Sequence, residues 1–183
     1  MQGKIKIQAD NPICSRALAA GILWILASSL ASCGVYSFKD VSIQPPNAKT
    51  IHIGYIENKA RYVNPQLSPQ LTDKFKQKIT NQVSKLTQIE SSDANFDVSA
   101  YVSGYDVSTS GVSAQQAATN RLTITVHIDF KNRLDDTKSF SGDISRNFDY
   151  SASLTLNVAE QQLLTTIVSN VTDEMFNRIF SNW

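Results

Sequence analysis

One segment with strict alternation constrains the fold of this chain more than any other feature. From Arg121 to Phe130 every second residue is apolar, and polar residues such as Thr125 and His127 stand between them. Alternation with a period of two is typical of a β-strand that buries one face and exposes the other. The sequence therefore predicts a sheet with one covered face, and the cover must come from other segments.

Three further segments are predicted to be strands of the same sheet. Residues 50–55 alternate between polar and apolar, and Tyr55 falls on the apolar side. Residues 96–103 show the same alternation. The pair Asp135-Asp136 predicts a turn that joins the first-named strand to a segment within residues 138–150 as a hairpin.

The hairpin segment is less regular than the other strands. Gly142 and Arg146 share the parity of its apolar residues. A glycine and a charged side chain at such positions predict a bulge or an edge position in the sheet.

Two segments predict amphipathic helices. The first follows Ser68, which can cap free amides, and Pro69, which fits the first helical position. The second begins near Asn157, whose side chain can cap while Glu160 reaches back as in a capping box. Apolar residues recur at helical spacing in both. They are Leu71, Phe75, Ile79, Val83 and Leu86 in the first helix, and Leu164, Ile167, Val168, Val171, Met175 and Ile179 in the second.

The predicted order is β-α-β-β-β-α, an α+β fold with two helices packed on one face of a four-stranded mixed sheet. The first two strands can pair in parallel through a right-handed crossover, and the later strands are expected to be antiparallel. The longest irregular piece, residues 106–120, is small and polar. A loop of this length in a compact domain is usually functional or disordered.

The N-terminal segment has the three parts of a secretory signal. A basic start is followed by the apolar residues 17–27 and by a small-residue exit that ends in Leu30-Ala31-Ser32-Cys33. Small residues before a cysteine predict cleavage and lipidation at Cys33. The alternatives are a short transmembrane anchor, for which the apolar run is too short, and a core helix with a chance cysteine. We therefore expect a signal peptide over residues 1–32, a lipidated tether over 33–48 and a single domain over 49–183.

Composition argues against catalysis and nucleic-acid binding. The chain has 17 basic and 16 acidic residues without a basic run. Cys14 leaves with the signal, so the mature domain has no thiol apart from Cys33.

His52 and His127 lie at polar positions of their strands and approach each other only if those strands are adjacent. No third ligand of suitable spacing accompanies them, so we expect no metal and no cofactor.

Four basic residues are candidates for ligand or partner contact. Arg121, Lys131, Arg133 and Lys138 lie at strand ends and near the hairpin, where they can pair with the phosphates of an anionic glycolipid. The alternative is a solvated hairpin tip.

Short motifs over most of the mature chain resemble the LptE family of outer-membrane lipopolysaccharide-assembly lipoproteins, in the form found in Bacteroidetes-type bacteria. They follow the family's order. The motifs are Cys33-Gly34-Val35-Tyr36-Ser37-Phe38, Ser42-Ile43, Lys49-Thr50-Ile51, Val63-Asn64-Pro65-Gln66-Leu67-Ser68, Gly104-Tyr105, Arg121-Leu122-Thr123-Ile124-Thr125-Val126, Phe176-Asn177 and Asn182-Trp183.

This resemblance implies a non-enzymatic protein that plugs the lumen of the β-barrel translocon LptD, assists its assembly and supports lipopolysaccharide transport to the outer leaflet. The implied partners are that barrel, lipopolysaccharide or lipooligosaccharide, and the outer membrane through the lipid anchor, with the domain facing the periplasm. Gly34 after the lipidated cysteine resembles the outer-membrane sorting pattern. Two alternatives stay open: a free-standing periplasmic glycolipid or lipid carrier, and a hydrolase, which lacks an evident nucleophile and base.

Overall fold

The fold is given by a computed structural model that describes residues 47–110 and 118–181. Its two helices are α1 (Leu67–Gln82) and α2 (Leu156–Phe180). Its strands are β1 (Thr50–Ile53), β2 (Glu57–Asn58), β3 (Thr87–Gln88), β4 (Phe96–Ser110), β5 (Thr119–Asn132) and β6 (Phe140–Ser151).

The six strands form one mixed sheet in the order β3-β1-β4-β5-β6, with β2 paired to β4 beyond the end of β1. The short strands β1 and β2 run parallel to β4, and β3 runs parallel to β1. The long strands β4, β5 and β6 are antiparallel. The parallel pairing of β1 with β4 around α1 is the predicted crossover.

The predicted α+β class with two helices and a mixed sheet is confirmed, but the sheet has six strands instead of four. The four predicted strands correspond to β1, β4, β5 and β6. The additional strands β2 and β3 have two residues each. Two residues cannot display a period, so these strands depend on their pairing partners and leave no trace in the sequence pattern.

The described part of the predicted loop over residues 106–120 is almost entirely strand. The β4–β5 ladder continues through the pairs Asp106↔Thr123 and Thr109↔Asn120. Only residues 111–117 of that stretch lie outside the described parts of the chain. The β4 part of this extension, residues 106–110, has Val107 as its single apolar residue, so no alternation of apolar residues marks it in the sequence.

One core holds the described elements together. The predicted helix stripes and the apolar residues of β5 are buried against each other, although Val83 and Leu86 of the first stripe follow the end of α1. Phe75 of α1 and Met175 of α2 are fully buried. Burying a large apolar side chain contributes roughly 1.5–3 kcal/mol, so the two stripes fix both helices on one face of the sheet.

Two local predictions around β1 and α1 were wrong. Tyr55 is 58% exposed because β1 ends at Ile53, and Ile56 takes the buried position. Ser68 does not cap α1; it lies inside the first turn, and the Asn64 side chain accepts from the Gln66 N–H at 2.9 Å instead.

The predicted capping box of α2 was also wrong. Thr155 has the extended backbone of an N-cap, and Asn157 is already helical. Glu160 is turned into the interior and is only 5% exposed. It cannot reach back to the helix start, because its carboxylate bonds to side chains of other elements.

The strand β6 lies at the sheet edge, as its irregular pattern predicted. Its register with β5 is continuous from Phe140 to Ser151, so the predicted bulge in that strand is not present. Arg146 can lie on the helix-facing side of β6 because its guanidinium forms an ion pair with Glu174 of α2. The register shift of the sheet occurs instead in β4, between Val102 and Gly104.

Candidate functional site

The face of the sheet opposite the helices is a ladder of paired polar side chains, which we call the open face. Four consecutive cross-strand pairs of β5 and β6 are hydrogen-bonded along it. The pairs are Arg121 with Asp149 (2.7 and 2.9 Å), Thr123 with Asn147 (2.9 Å), Thr125 with Ser145 (2.9 Å) and His127 with Asp143 (2.6 Å). Tyr101 of β4 extends the ladder, with its ring 5.0 Å from that of His127.

Charge pairing on the open face shifts three pKa values. The hydrogen bond and charge of Asp149 raise the pKa of Arg121, and Arg121 in turn lowers the pKa of Asp149. The hydrogen bond that Asp143 accepts from His127, aided by the charge of Asp129, raises the pKa of His127. The face thus carries both charge signs, largely neutralised in pairs.

The two histidines do not approach each other. His52 is on β1 and His127 is on β5, and β4 lies between these strands. His52 Nδ1 lies 2.7 Å from Asp97 Oδ1, so it has a partner of its own. Among residues 47–110 and 118–181, no group of three or more histidine, cysteine or acidic residues is arranged to hold a metal ion.

The four basic candidates do not form one site. Arg121 and Lys131 are ten positions apart on β5, roughly 33 Å at the usual rise per strand residue. Lys131 and Arg133 line one open groove of about 670 Å³ at the hairpin end. Lys138 ends the short 3-10 helix Asp136–Lys138 of the same hairpin.

The hairpin groove has mixed charge. Asp129 and Asp136 line it together with the two basic side chains. Arg133 Nη2 donates to the Ser92 carbonyl at 2.9 Å, which ties the groove to the loop before β4. The groove can therefore receive a polar ligand with both acceptor and donor groups.

Sequence reasoning missed a cluster formed by α2, β4 and the segment before α1. Glu160 of α2 accepts hydrogen bonds from the hydroxyls of Tyr62 and Tyr105. A signal existed in the sequence: Glu160 precedes Leu164 by four residues and Ile167 by seven, so it falls on the apolar stripe of the helix. A carboxylate in such a stripe needs buried donors.

The predicted lipidation residue Cys33 and the tether to residue 46 lie outside the described residues. Within residues 47–110 and 118–181, no helix has the length and apolar character needed to cross a membrane.

A family model described as "LptE: Lipopolysaccharide-assembly" matches residues 48–179. The chain belongs to the LptE family. The resemblance drawn from the sequence motifs is thereby confirmed, and the family places the protein in lipopolysaccharide assembly.

Several solved structures of bacterial lipoproteins are similar at low identity. A minor lipoprotein from Acinetobacter baumannii is 15% identical over 74% of this chain and 94% of that chain, with a TM-score of 0.47. Lipoprotein B from Nitrosomonas europaea is 8% identical over 73% and 83%, with a TM-score of 0.47. Rare lipoprotein B from Shewanella oneidensis is 12% identical over 72% and 91%, with a TM-score of 0.41. Among curated proteins, none matches the chain.

Proposed function

We propose that this protein is the lipoprotein component of an outer-membrane lipopolysaccharide translocon, where it plugs and helps assemble an LptD-type β-barrel. The observation that carries the proposal is the family match over residues 48–179. The proposed role is binding and positioning without catalysis. In this role the domain contacts both the barrel and the transported glycolipid.

The open face suits a contact with the inside of a barrel. The lumen of a large outer-membrane barrel is polar, and its lining side chains donate and accept hydrogen bonds. The ladder from Arg121–Asp149 to His127–Asp143 presents such groups in pairs. Because most of these groups already have partners, they lose little when water is displaced by a polar wall.

The hairpin groove is the proposed contact for the glycolipid. Lys131 and Arg133 line it, and Lys138 belongs to the same hairpin. Ammonium and guanidinium groups bind phosphate through charge-assisted hydrogen bonds. Arg121 is a weaker candidate than the sequence suggested, because Asp149 already engages its Nε and Nη2.

Lipidation of Cys33 is the proposed anchor. A lipoprotein carries more than one acyl chain on this residue, and two chains give stable membrane attachment where one does not. The anchor would hold the domain on the periplasmic side of the outer membrane, next to the lumen of its partner barrel.

A pull-down tests the barrel partnership. The full chain, tagged at its C-terminus, is extracted from membranes in a mild detergent and captured. We expect a large β-barrel outer-membrane protein to co-purify in stoichiometric amount. Capture of the lipoprotein without any such barrel would overturn the proposal, and acyl chains bound to the captured protein alone would favour a free-standing carrier.

Matched substitutions test the open face. Thr125 lies at the centre of this face and Thr166 lies exposed on α2 in the helical layer. Thr125→Lys places a long charged side chain against the barrel wall, and we expect at least a tenfold loss of captured barrel. Thr166→Lys introduces the same side chain on the other layer and should leave capture unchanged. Equal loss in both variants, or in neither, would contradict the assigned face.

A further inference from the structure

Glu160 is a buried carboxylate without a positive partner. It is 5% exposed, in the second turn of α2. Within residues 47–110 and 118–181, no lysine, arginine or histidine forms an ion pair with it. A buried charge without a counter-charge costs several kcal/mol of desolvation, so its retention calls for an explanation.

Two tyrosines hold the carboxylate in place without neutralising it. Tyr62 Oη donates to Oε2 at 3.0 Å, and Tyr105 Oη donates to Oε1. Desolvation and, after it, the hydrogen bond and charge of Glu160 raise the pKa of both the exposed Tyr62 and the buried Tyr105, so the phenols keep their protons and act as donors. Each carboxylate oxygen can accept a second hydrogen bond, so the group retains capacity for a further donor.

The carboxylate lines a small open pocket of about 220 Å³, which we call the Glu160 pocket. Its other lining residues come from the start of α2 and from the segment before α1. They are Tyr62, Asn64, Pro65, Gln66, Asn157 and Gln161. Apart from Glu160 they are uncharged, so a ligand meets one negative charge among polar and apolar groups.

Exposed apolar side chains accompany this pocket. Of the six large apolar residues that are exposed in the described parts of the chain, Tyr62, Val63 and Val158 are lining residues or their direct chain neighbours. Tyr62 lines the pocket itself, and apolar groups beside a polar centre reduce its contact with water, as at the anchoring side chains of protein interfaces. They also match the aliphatic stem of a long basic side chain.

We propose that the Glu160 pocket binds the cationic side chain of an arginine or lysine from a protein partner. The volume suits one side chain, the carboxylate supplies the counter-charge, and the Tyr62 and Pro65 side chains that line the pocket offer apolar surface to the stem. A phosphate is disfavoured because Glu160 would repel it. The site is thus different in chemistry from the hairpin groove, and it does not depend on the partner being a barrel.

A titration of the full chain in detergent micelles tests the site. The probe is N-acetyl-arginine methylamide, and the matched neutral probe is N-acetyl-citrulline methylamide, which has nearly the same shape. We expect saturable NMR shifts of the Tyr62 and Gln161 amides with arginine, with a dissociation constant on the order of 1 mM. Citrulline should bind at least tenfold more weakly. No saturable shift with arginine, or equal binding of citrulline, would overturn the proposal.

Variants make the assignment specific. Glu160→Gln should weaken the arginine probe at least tenfold, and Glu174→Gln removes a charge from the same helix at an exposed ion pair with Arg146 and should leave binding unchanged. Unchanged binding in a folded Glu160→Gln protein would contradict the proposal.

A third variant covers the case in which Glu160→Gln does not fold. Asn157→Lys places an ammonium three residues before Glu160 on the helix, within reach of an ion pair. This internal cation should occupy the pocket and abolish probe binding while the protein stays folded. Retained binding of the arginine probe by folded Asn157→Lys would count against the pocket.

Discussion

At the scale of single residues, His127 shows how neighbours on a sheet set the ionisation of one side chain. Its Nδ1 lies 2.6 Å from Asp143 Oδ1, and its Nε2 lies 3.0 Å from Ser141 Oγ and 3.6 Å from Asp129 Oδ1. The hydrogen bond to Asp143 raises its pKa above the ordinary value of 6.5. The protonated form is therefore favoured in the folded state relative to the unfolded state.

This shift predicts a pH dependence of stability. The contribution of His127 is fully present below pH of about 6.5 and is lost as the pH rises through the higher folded-state pKa. We expect the free energy of unfolding of the wild type to decrease over that range, and His127→Gln to lack this part of the decrease. Denaturant titrations at a series of pH values measure it.

Asp143→Asn is the control for this prediction, because it keeps the imidazole and removes the largest cause of the shift. Its pH dependence should lie between those of the wild type and His127→Gln. A slope in His127→Gln equal to the wild-type slope would show that other groups dominate this range.

Capping residues mark the limit of prediction at this scale. Ser68 and Asn157 are chemically suited to cap, yet Gln66 and Thr155 hold the N-cap positions, and neither side chain makes a capping hydrogen bond. Several polar residues near each helix start satisfy the local preference equally well. The choice among them depends on how the chain enters the helix from the rest of the fold.

At the scale of elements, the bulge in β4 redirects a side chain into the core. Ser103 and Gly104 together oppose Thr125 of β5. Beyond this extra residue the alternation is inverted, so Tyr105 faces the helices, although Tyr101 faces the open side. The bulge thereby brings the Tyr105 hydroxyl to Glu160.

Gly104 is the residue that this bulge requires. A Cβ at this position would lie 3.1 Å from both Cβ and Oγ1 of Thr125 and 3.3 Å from Asp106 Oδ2. The Cβ of Thr125 is fixed to the backbone of the neighbouring strand and cannot move away freely. We expect Gly104→Ala to lower the free energy of unfolding by about 1–3 kcal/mol, the usual cost of overpacking, as measured by denaturant titration.

Gly142 provides the matched control. A Cβ there would meet only Arg178 Nη2, at an ordinary contact distance of 3.9 Å. Gly142→Ala should be neutral or stabilise by up to about 1 kcal/mol, because alanine restricts the unfolded chain. If both variants lost the same stability, general loss of glycine in a strand would explain the effect better than the close approach to Thr125.

The helices were the elements best predicted from sequence. Phe75 and Ile79 of α1 and Val171 and Met175 of α2 are buried as their spacing indicated. A stripe repeated over several turns is a strong signal, because one wrong position hardly changes it. The two-residue strands β2 and β3 have no such redundancy.

At the scale of the whole molecule, the proposed anchor can be tested separately from the domain. Cys33→Ala removes the thiol that would receive the lipid. We expect this variant to lose incorporation of labelled palmitate and to leave the membrane fraction. Radiolabelling and membrane flotation measure the two effects.

Cys14→Ala is the control, since Cys14 belongs to the predicted signal segment. It should retain both lipid labelling and membrane association. Palmitate incorporation that persists in Cys33→Ala would contradict lipidation at this residue.

The sequence by itself determined the class of fold, the two helices, the four main strands and the family. These features depend on periods and motifs that are local in the chain, such as the alternation from Arg121 to Phe130. Only the tertiary structure kept His52 apart from His127 and joined Tyr62 to Glu160, 98 positions apart. Strand order, register and a single bulge decide such contacts, and packing of the whole chain sets all three.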